Sequence, residues 1–127
     1  MTLLVTTPER RIFEGKVAKV VATGAGGSRG FLPRHADFVM PLTRSIMSCT
    51  DEGGVSTFFA VDGGVLVKKG HEVTVVTRQA VKAERMEDLP QGVLASFAQA
   101  DEHATVADRA ANRLETMLLR EFLELNR

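Results

Sequence analysis

Gly24, Gly26, Gly27 and Gly30 fall within seven positions, interleaved with Ser28 and Arg29 and followed by Pro33, Arg34, His35 and Asp37. Glycines at such density let backbone N–H groups converge on a phosphate, and a histidine beside them can move a proton near neutral pH. A phosphate loop must close with Gly-Lys-Ser/Thr, so that the lysine reaches the terminal phosphate. Nothing from Gly24 to Gly30 supplies that ending. A dinucleotide fingerprint anchored on Gly24 and Gly26 needs a third glycine where Arg29 stands. Both patterns also need a helix directly after the glycines, but Pro33 and the β-like run Phe38–Leu42 stand there instead. The phosphate reading fails on letters and on context.

Nucleophilic or metal chemistry would draw on His35, His71, His103 and Cys49. No HxxxH, HExxH or GxSxG spacing occurs, and a single cysteine cannot form a CxxC metal site or an intrachain disulfide. Cys49 lies in a β-rich run, where a lone cysteine reads as a small core residue. The sequence therefore points to no catalytic group, cofactor or metal. Two readings of the stretch Gly24–Phe38 stay open: a tight connection with no partner, or a recognition loop presenting Ser28, Arg29, Phe31 and His35.

The elements that must hold this stretch read as β. Thr2–Thr7 ends at Pro8, and Lys16–Thr23 runs into the glycines. Ser45–Thr50 precedes Asp51–Gly54, Val55–Val61 precedes Asp62–Gly64, and Val65–Val67 and Glu72–Thr77 flank a Lys-Lys-Gly-His turn. Short β-rich runs with regular Gly/Asp punctuation are the pattern of a sandwich or barrel. Val55, Phe59 and Val61 alternate with Phe58 and Ala60, so this strand is apolar on both faces and must be covered on both.

From Glu84 onward Ala, Leu, Glu and Arg take over, which are strong helix formers. Glu87 and Asp88 ahead of Pro90 predict a helix start with proline in its first turn. Ala107, Ala110, Leu114, Leu118, Phe122 and Leu125 recur at helical spacing, with Arg109, Arg113 and Glu124 off the stripe. That stripe packs on the chain's own β domain or on a partner. Thr105–Asp108 has the form of a capping box, which favours a two-helix hairpin over one long helix. The predicted fold is mainly β plus α: a β-sandwich over 1–83 and an α-helical segment over 84–127.

Lys+Arg and Asp+Glu balance at 16 each, and there is no Trp or Tyr, which argues against nucleic acid as a partner. The N-terminus has no secretory-signal pattern, and no window reaches the length of a membrane-spanning helix.

Several stretches together resemble the epsilon subunit of F-type (rotary) ATP synthases. Thr7–Arg10 and Ile12–Gly15 are similar to that family's opening. Gly27–Ala36, "GSRGFLPRHA", resembles its Gly-x-x-Gly-apolar-apolar-Pro-Gly-His-Ala signature. Phe59–Leu66 and Val73–Thr77 resemble the family's next elements, in the same order and at similar spacing. The resemblance implies a sandwich of about ten strands and a helical hairpin. It also implies a non-catalytic central-stalk subunit that couples gamma rotation to the membrane c-ring during proton- or sodium-driven ATP synthesis. Such a subunit is peripheral to the membrane through the ring, on the cytoplasmic side of the bacterial inner membrane. Carried over by position, Ser28, Arg29, Phe31, Arg34 and His35 would face the c-ring. Leu114, Leu118, Phe122 and Leu125 would form a helical stripe able to meet gamma and the alpha/beta subunits, with a possible inhibitory role. Many members carry an acidic residue at Ser28 and glycine at Arg34. The Leu/Ile-Asp-x-x-Arg-Ala motif of ATP-binding members is missing from the stretch Glu87–Ala95. The tail also resembles epsilon-like subunits of the alternative, sodium-type bacterial ATPases. The competing class is a stand-alone ligand-binding module or small enzyme built on the stretch Gly24–His35.

Overall fold

The computed structural model describes residues 1–102, with side chains through Gln99. The described residues form strands β1 (Thr2–Thr6), β2 (Arg11–Lys16), β3 (Lys19–Gly24), β4 (Gly27–Phe31), β5 (Phe38–Thr50), β6 (Ser56–Lys69), β7 (Glu72–Val76) and β8 (Ala80–Ala83). A short 3-10 turn at Met86–Asp88 and helix α1 (Val93–Glu102) come after them. The strands hydrogen-bond in the order β2-β1-β7-β6-β5-β3-β4, with β8 added to β6.

Two long strands turn this one ladder into a sandwich. The first half of β6 pairs with β8 through Phe58–Val61, and its second half pairs with β7 through Val65–Lys69. β5 follows β6 along its whole length and takes β3 at its far end through Ser48–Thr50. One layer is therefore β8, the first half of β6, the second half of β5, β3 and β4. The other is β2, β1, β7 and the remaining halves. At the corner between them Thr43 and Gly63 have no cross-strand partner, flanked by the pairs Leu42–Gly64 and Arg44–Asp62.

The run Asp62–Gly64, expected to end a strand, instead bends one. Gly63 and Gly64 take φ of +69° and +109°, the left-handed side that favours glycine, and the ladder resumes at once beyond them. Ser45–Thr50, a separate strand by its sequence pattern, is likewise the second half of β5. The described residues thus hold eight strands. Counting β5 and β6 once in each layer recovers the ten that the resemblance implied.

Between the layers sit Leu3 and Val5 of β1, Val73 and Val75 of β7, Leu66, Phe59 and Val61 of β6, and Met47 and Cys49 of β5. Phe13 and Phe59 bridge the layers edge to face at 5.5 Å, a geometry that matches a ring's positive edge to a negative face. The two-faced character of β6 is explained by a second cluster. Phe58 and Ala60 point away from the main core and are covered by Leu89, Val93, Leu94 and Phe97. Val55 does not join Phe59 and Val61 as the alternation implied; it is exposed in the turn before the strand.

The helix starts later than expected. Leu89, forced extended by Pro90, has φ −68° and ψ 135°, and Gly92 is left-handed at φ +72°. Glu87 and Asp88 therefore belong to the preceding 3-10 turn, and α1 begins at Val93. The stripe Leu114, Leu118, Phe122 and Leu125, and the choice between one helix and a hairpin, lie outside the described residues. Among the described residues no helix is long and apolar enough to cross a membrane.

Candidate functional site

The glycine-rich stretch is half strand. Gly24 and Gly27 pair at the end of a β3–β4 hairpin whose turn is Ala25–Gly26. Gly27 has φ +109°, and a Cβ on Gly24 would lie 2.8 Å from the carbonyl oxygen of Pro41. Those glycines serve a tight hairpin packed against β5, which replaces the loop expected from the sequence.

The five candidate residues then separate. Ser28 is exposed near the hairpin tip, its hydroxyl 2.9 Å from that of Thr23 across the ladder. Arg29 is exposed on β4, its guanidinium carbon 4.3 Å from the centre of the Phe38 ring, a cation–π distance. Phe31, expected on the surface, is 2% exposed and belongs to the core. Its ring packs against Phe38 at 5.9 Å, supporting the surface from beneath. A glycine-flanked aromatic at an inward strand position follows the core's alternation, not the partner's. Arg34 and His35 lie exposed in the turn after β4, where the His35 N–H donates to the Leu32 carbonyl at 3.0 Å. The Leu32 N–H donates back to His35 Nδ1 at 3.3 Å. Phe38 ties Arg29 to the exit of that turn, so hairpin and turn make one end of the sandwich.

What fixes this turn was not legible as a site. Lys68 is 1% exposed, and its ammonium donates to the carbonyls of His35 at 2.6 Å, Gly70 at 2.8 Å and Pro33 at 3.5 Å. The Gly70 N–H in turn donates to Asp37 Oδ1 at 2.7 Å. The turn Leu32–Asp37 is thus latched to the β6–β7 turn by one buried cation and one carboxylate. Lys68 shares a strand face with buried Leu66, and that alternation was the available signal. Replacing Lys68 with Met keeps the stem and removes all three donors. The expected loss is about 2 kcal/mol, with carbonyls left unpaired. Hydrogen-exchange mass spectrometry should show faster exchange at His35 and Gly70 and little change in the core strands.

Cys49 sits eleven residues beyond Phe38 on β5, paired with Val20 and Thr57, and the fold does not bring it to His35. Burial pushes the thiol above its ordinary value, with the charge of Asp51 adding to this and hydrogen bonds from Thr57 opposing it. The unfolded thiol ionises first, so this contribution to stability is present below the ordinary thiol range and lost as pH rises through the raised value. The expected result is that Cys49 resists maleimide at pH 8 until denaturant is added; labelling of the native protein at the rate of a free peptide thiol would contradict it.

A second polar centre lies at the corner. The Asp62 carboxylate, 2% exposed, accepts from Arg44 Nε at 2.7 Å and meets Arg78 Nη2 at 3.2 Å. Its own N–H donates to the Gln79 carbonyl at 3.0 Å and lies 3.2 Å from the Thr77 hydroxyl. This cluster is structural in its connections: it ties β5, the β6 bend and the β7–β8 connection together.

The family model for the ATP synthase Delta/Epsilon chain beta-sandwich domain matches residues 1–83. The ATP synthase epsilon chain of Brevibacillus brevis is 35% identical over 80 residues, which are 63% of this chain and 61% of that one. That of Acinetobacter baylyi is 34% identical over 84 residues, 66% of this chain and 60% of the relative. These matches span about three-fifths of the relatives' length. Among solved structures, a chain of the Euglena gracilis mitochondrial ATP synthase, in an assembly of OSCP, F1 and c-ring, superposes with a TM-score of 0.63 at 20% identity. It covers 98% of this chain and 80% of its own. A chain of the Tetrahymena thermophila central stalk and c-ring gives 0.56 at 13% identity, covering 100% and 96%. At such identities the structures speak for the fold alone, whereas the family model covers well over half of the chain. The chain belongs to the ATP synthase Delta/Epsilon family, whose beta-sandwich domain its residues 1–83 form.

Proposed function

We propose that this protein is a non-catalytic rotor subunit of an F-type ATP synthase, held between gamma and the membrane c-ring. Family membership supplies the assembly, and the observation that carries the reading is the asymmetry of the two outer sheet faces. Helix α1 covers the layer bearing Phe58 and Ala60. The outer face of the other layer runs Leu4, Thr74, Val67 and Val39 in one cross-strand row, with Val39 only 8% exposed, and Thr6, Val76, Val65 and Pro41 in the next. Val76 is 37% exposed and Pro41 is exposed in the same row, and exposed apolar residues grouped on one sheet face read as a place for another protein. Gamma is the occupant we assign to it. The end bearing Ser28, Arg29, Arg34 and His35 is left for the c-ring, which makes the protein peripheral to the membrane on the cytoplasmic side. The sandwich of residues 1–83 is then the coupling element. Residues 84–127 are a regulatory element, and Leu114, Leu118, Phe122 and Leu125 meet gamma or the catalytic subunits when inhibition is on.

Pull-down with gamma and c-ring from the same source tests the assignment. Wild type should bind both, and Val67→Asp should lose gamma at least about tenfold, since a carboxylate buried in an apolar interface is left unpaired. A folded Val67→Asp that still binds gamma would move the gamma surface elsewhere. Removing residues 103–127 should raise ATP hydrolysis by the reconstituted complex; unchanged hydrolysis would end the inhibitory reading.

A further inference from the structure

We infer that the surface of the ring that meets this protein is acidic: a polar turn carrying carboxylates on the exposed loop of the ring subunit. The inference rests on the ring-facing reading above and deepens it by naming the chemistry of the contact.

At this end of the sandwich the exposed charged groups on β4 and the turn after it are mostly donors. Arg29 stands on β4 with its guanidinium over Phe38. Arg34 is exposed in the turn after that strand. A guanidinium offers five N–H groups and no acceptor. His35 Nδ1 accepts the Leu32 N–H, so in the neutral ring the proton sits on Nε2, and His35 presents a third donor. The groups able to accept are fewer, and several already hold a donor. The Ser28 hydroxyl pairs with that of Thr23, Asp37 Oδ1 takes the Gly70 N–H, and the carbonyls of His35 and Pro33 face the buried Lys68 ammonium. Lys69 and Glu72 on the adjoining β6–β7 turn stand opposite each other in register, so their charges offset locally. The net character left to a partner is cationic, two guanidiniums against the single carboxylate of Asp37.

Geometry makes this more than loose surface charge. Arg29 is steadied by the Phe38 ring, which itself packs on core Phe31. Arg34 and His35 ride on a turn latched by Lys68 and Asp37. Pre-placed planar forks of donors fit carboxylates, which accept bidentately, and Leu32, 41% exposed beside them, gives the contact an apolar centre. A basic partner would leave both guanidiniums facing like charge and is rejected by the same arrangement.

The test uses the full chain and rotor ring purified in neutral detergent from the same cells. Wild type should bind the ring with an affinity that falls at least about tenfold between about 50 mM and about 500 mM NaCl. Arg29→Glu/Arg34→Glu should lose about tenfold or more at low salt while binding gamma unchanged, and Lys in place of the ring-loop carboxylates should restore that double variant. Wild type that binds gamma but not the ring would refute the ring-facing reading, and this inference with it. Ring binding indifferent to salt and to charge reversal would overturn the inference alone. So would equal, salt-sensitive binding to phosphatidylglycerol vesicles without ring, which would make lipid headgroups the partner.

Discussion

Gly64→Ala is expected to destabilise this protein by about 3 kcal/mol or more, the strain of a left-handed non-glycine residue adding to forced overpacking. Gly64 has φ +109°, and a Cβ built on it would run into the carbonyl oxygen of Val76 and come within 2.9 Å of the Thr77 Cα. Both obstacles are backbone, so no side-chain rotation relieves them. The crowding has a topological origin. At Gly64 strand β6 leaves β8 and begins to pair with β7, whose last residue, Val76, faces Val65 across the ladder. Neighbouring Gly63 provides the control. Its φ is +69° and its Cβ would sit 3.3 Å from the Leu42 carbonyl oxygen, a contact that small shifts can accommodate. Gly63→Ala should therefore cost about 1 kcal/mol, and Gly63→Asn less, since Asn tolerates this backbone region. Thermal melts followed by circular dichroism decide the matter; equal losses at the two glycines would contradict the close approach at Gly64.

Asp62→Ala is the second large effect, at about 3–5 kcal/mol, because removing one partner from a buried ionic cluster strands the charges that remain. The carboxylate spans Arg44 at 2.7 Å and Arg78 at 3.2 Å with 2% of its side chain exposed. Both arginines are partly exposed and have further interactions, which places the loss toward the lower part of that range. For a domain of this size the melting temperature should fall by roughly 10 °C or more. Asp62→Asn keeps a hydrogen-bond acceptor and should lose less than Asp62→Ala. Added salt should not restore either variant, since a buried pair is poorly screened. A drop of only a degree or two for Asp62→Ala would show that the arginines hold the corner without it.

Much of the architecture can be read from residue order. β1, β3, β7 and both halves of β5 and β6 announce themselves because they lie inside the ladder and are rich in Val, Leu, Ile and Phe. The strands not recognised from the sequence are β2, β4 and β8, and each is an edge. An edge strand has a neighbour on one side only, so "RIFEGK", "GSRGF" and "AVKA" need few apolar residues and can hold Gly, Arg and Lys. The bend at Asp62–Gly64 reads as a turn because the letters of a turn and of a strand corner are the same. Only the pairing partners distinguish them. At the candidate site the family pattern picks out the exposed residues Ser28, Arg29, Arg34 and His35. It puts Phe31 on the wrong side of the surface, because resemblance by position says nothing about which way a strand residue faces. Lys68 escapes notice for the opposite reason: a lysine in "VLVKKG" looks solvated until the turn above it is folded down.

The corner also has a mechanical meaning. In a sandwich whose layers touch only through side chains, a sideways load is resisted by dispersion contacts that slide past one another. Here β5 and β6 run through both layers as a single ribbon with twelve cross-strand pairs, and each layer is the other's continuation. A twist applied at the Arg34 end enters β5 at Phe38 and reaches the far layer along covalent backbone, with no flexible connector in series. Shearing the two layers apart would require tearing ladder hydrogen bonds at the bend. For the rotor role proposed above, that is the difference between a clutch plate and a welded bracket.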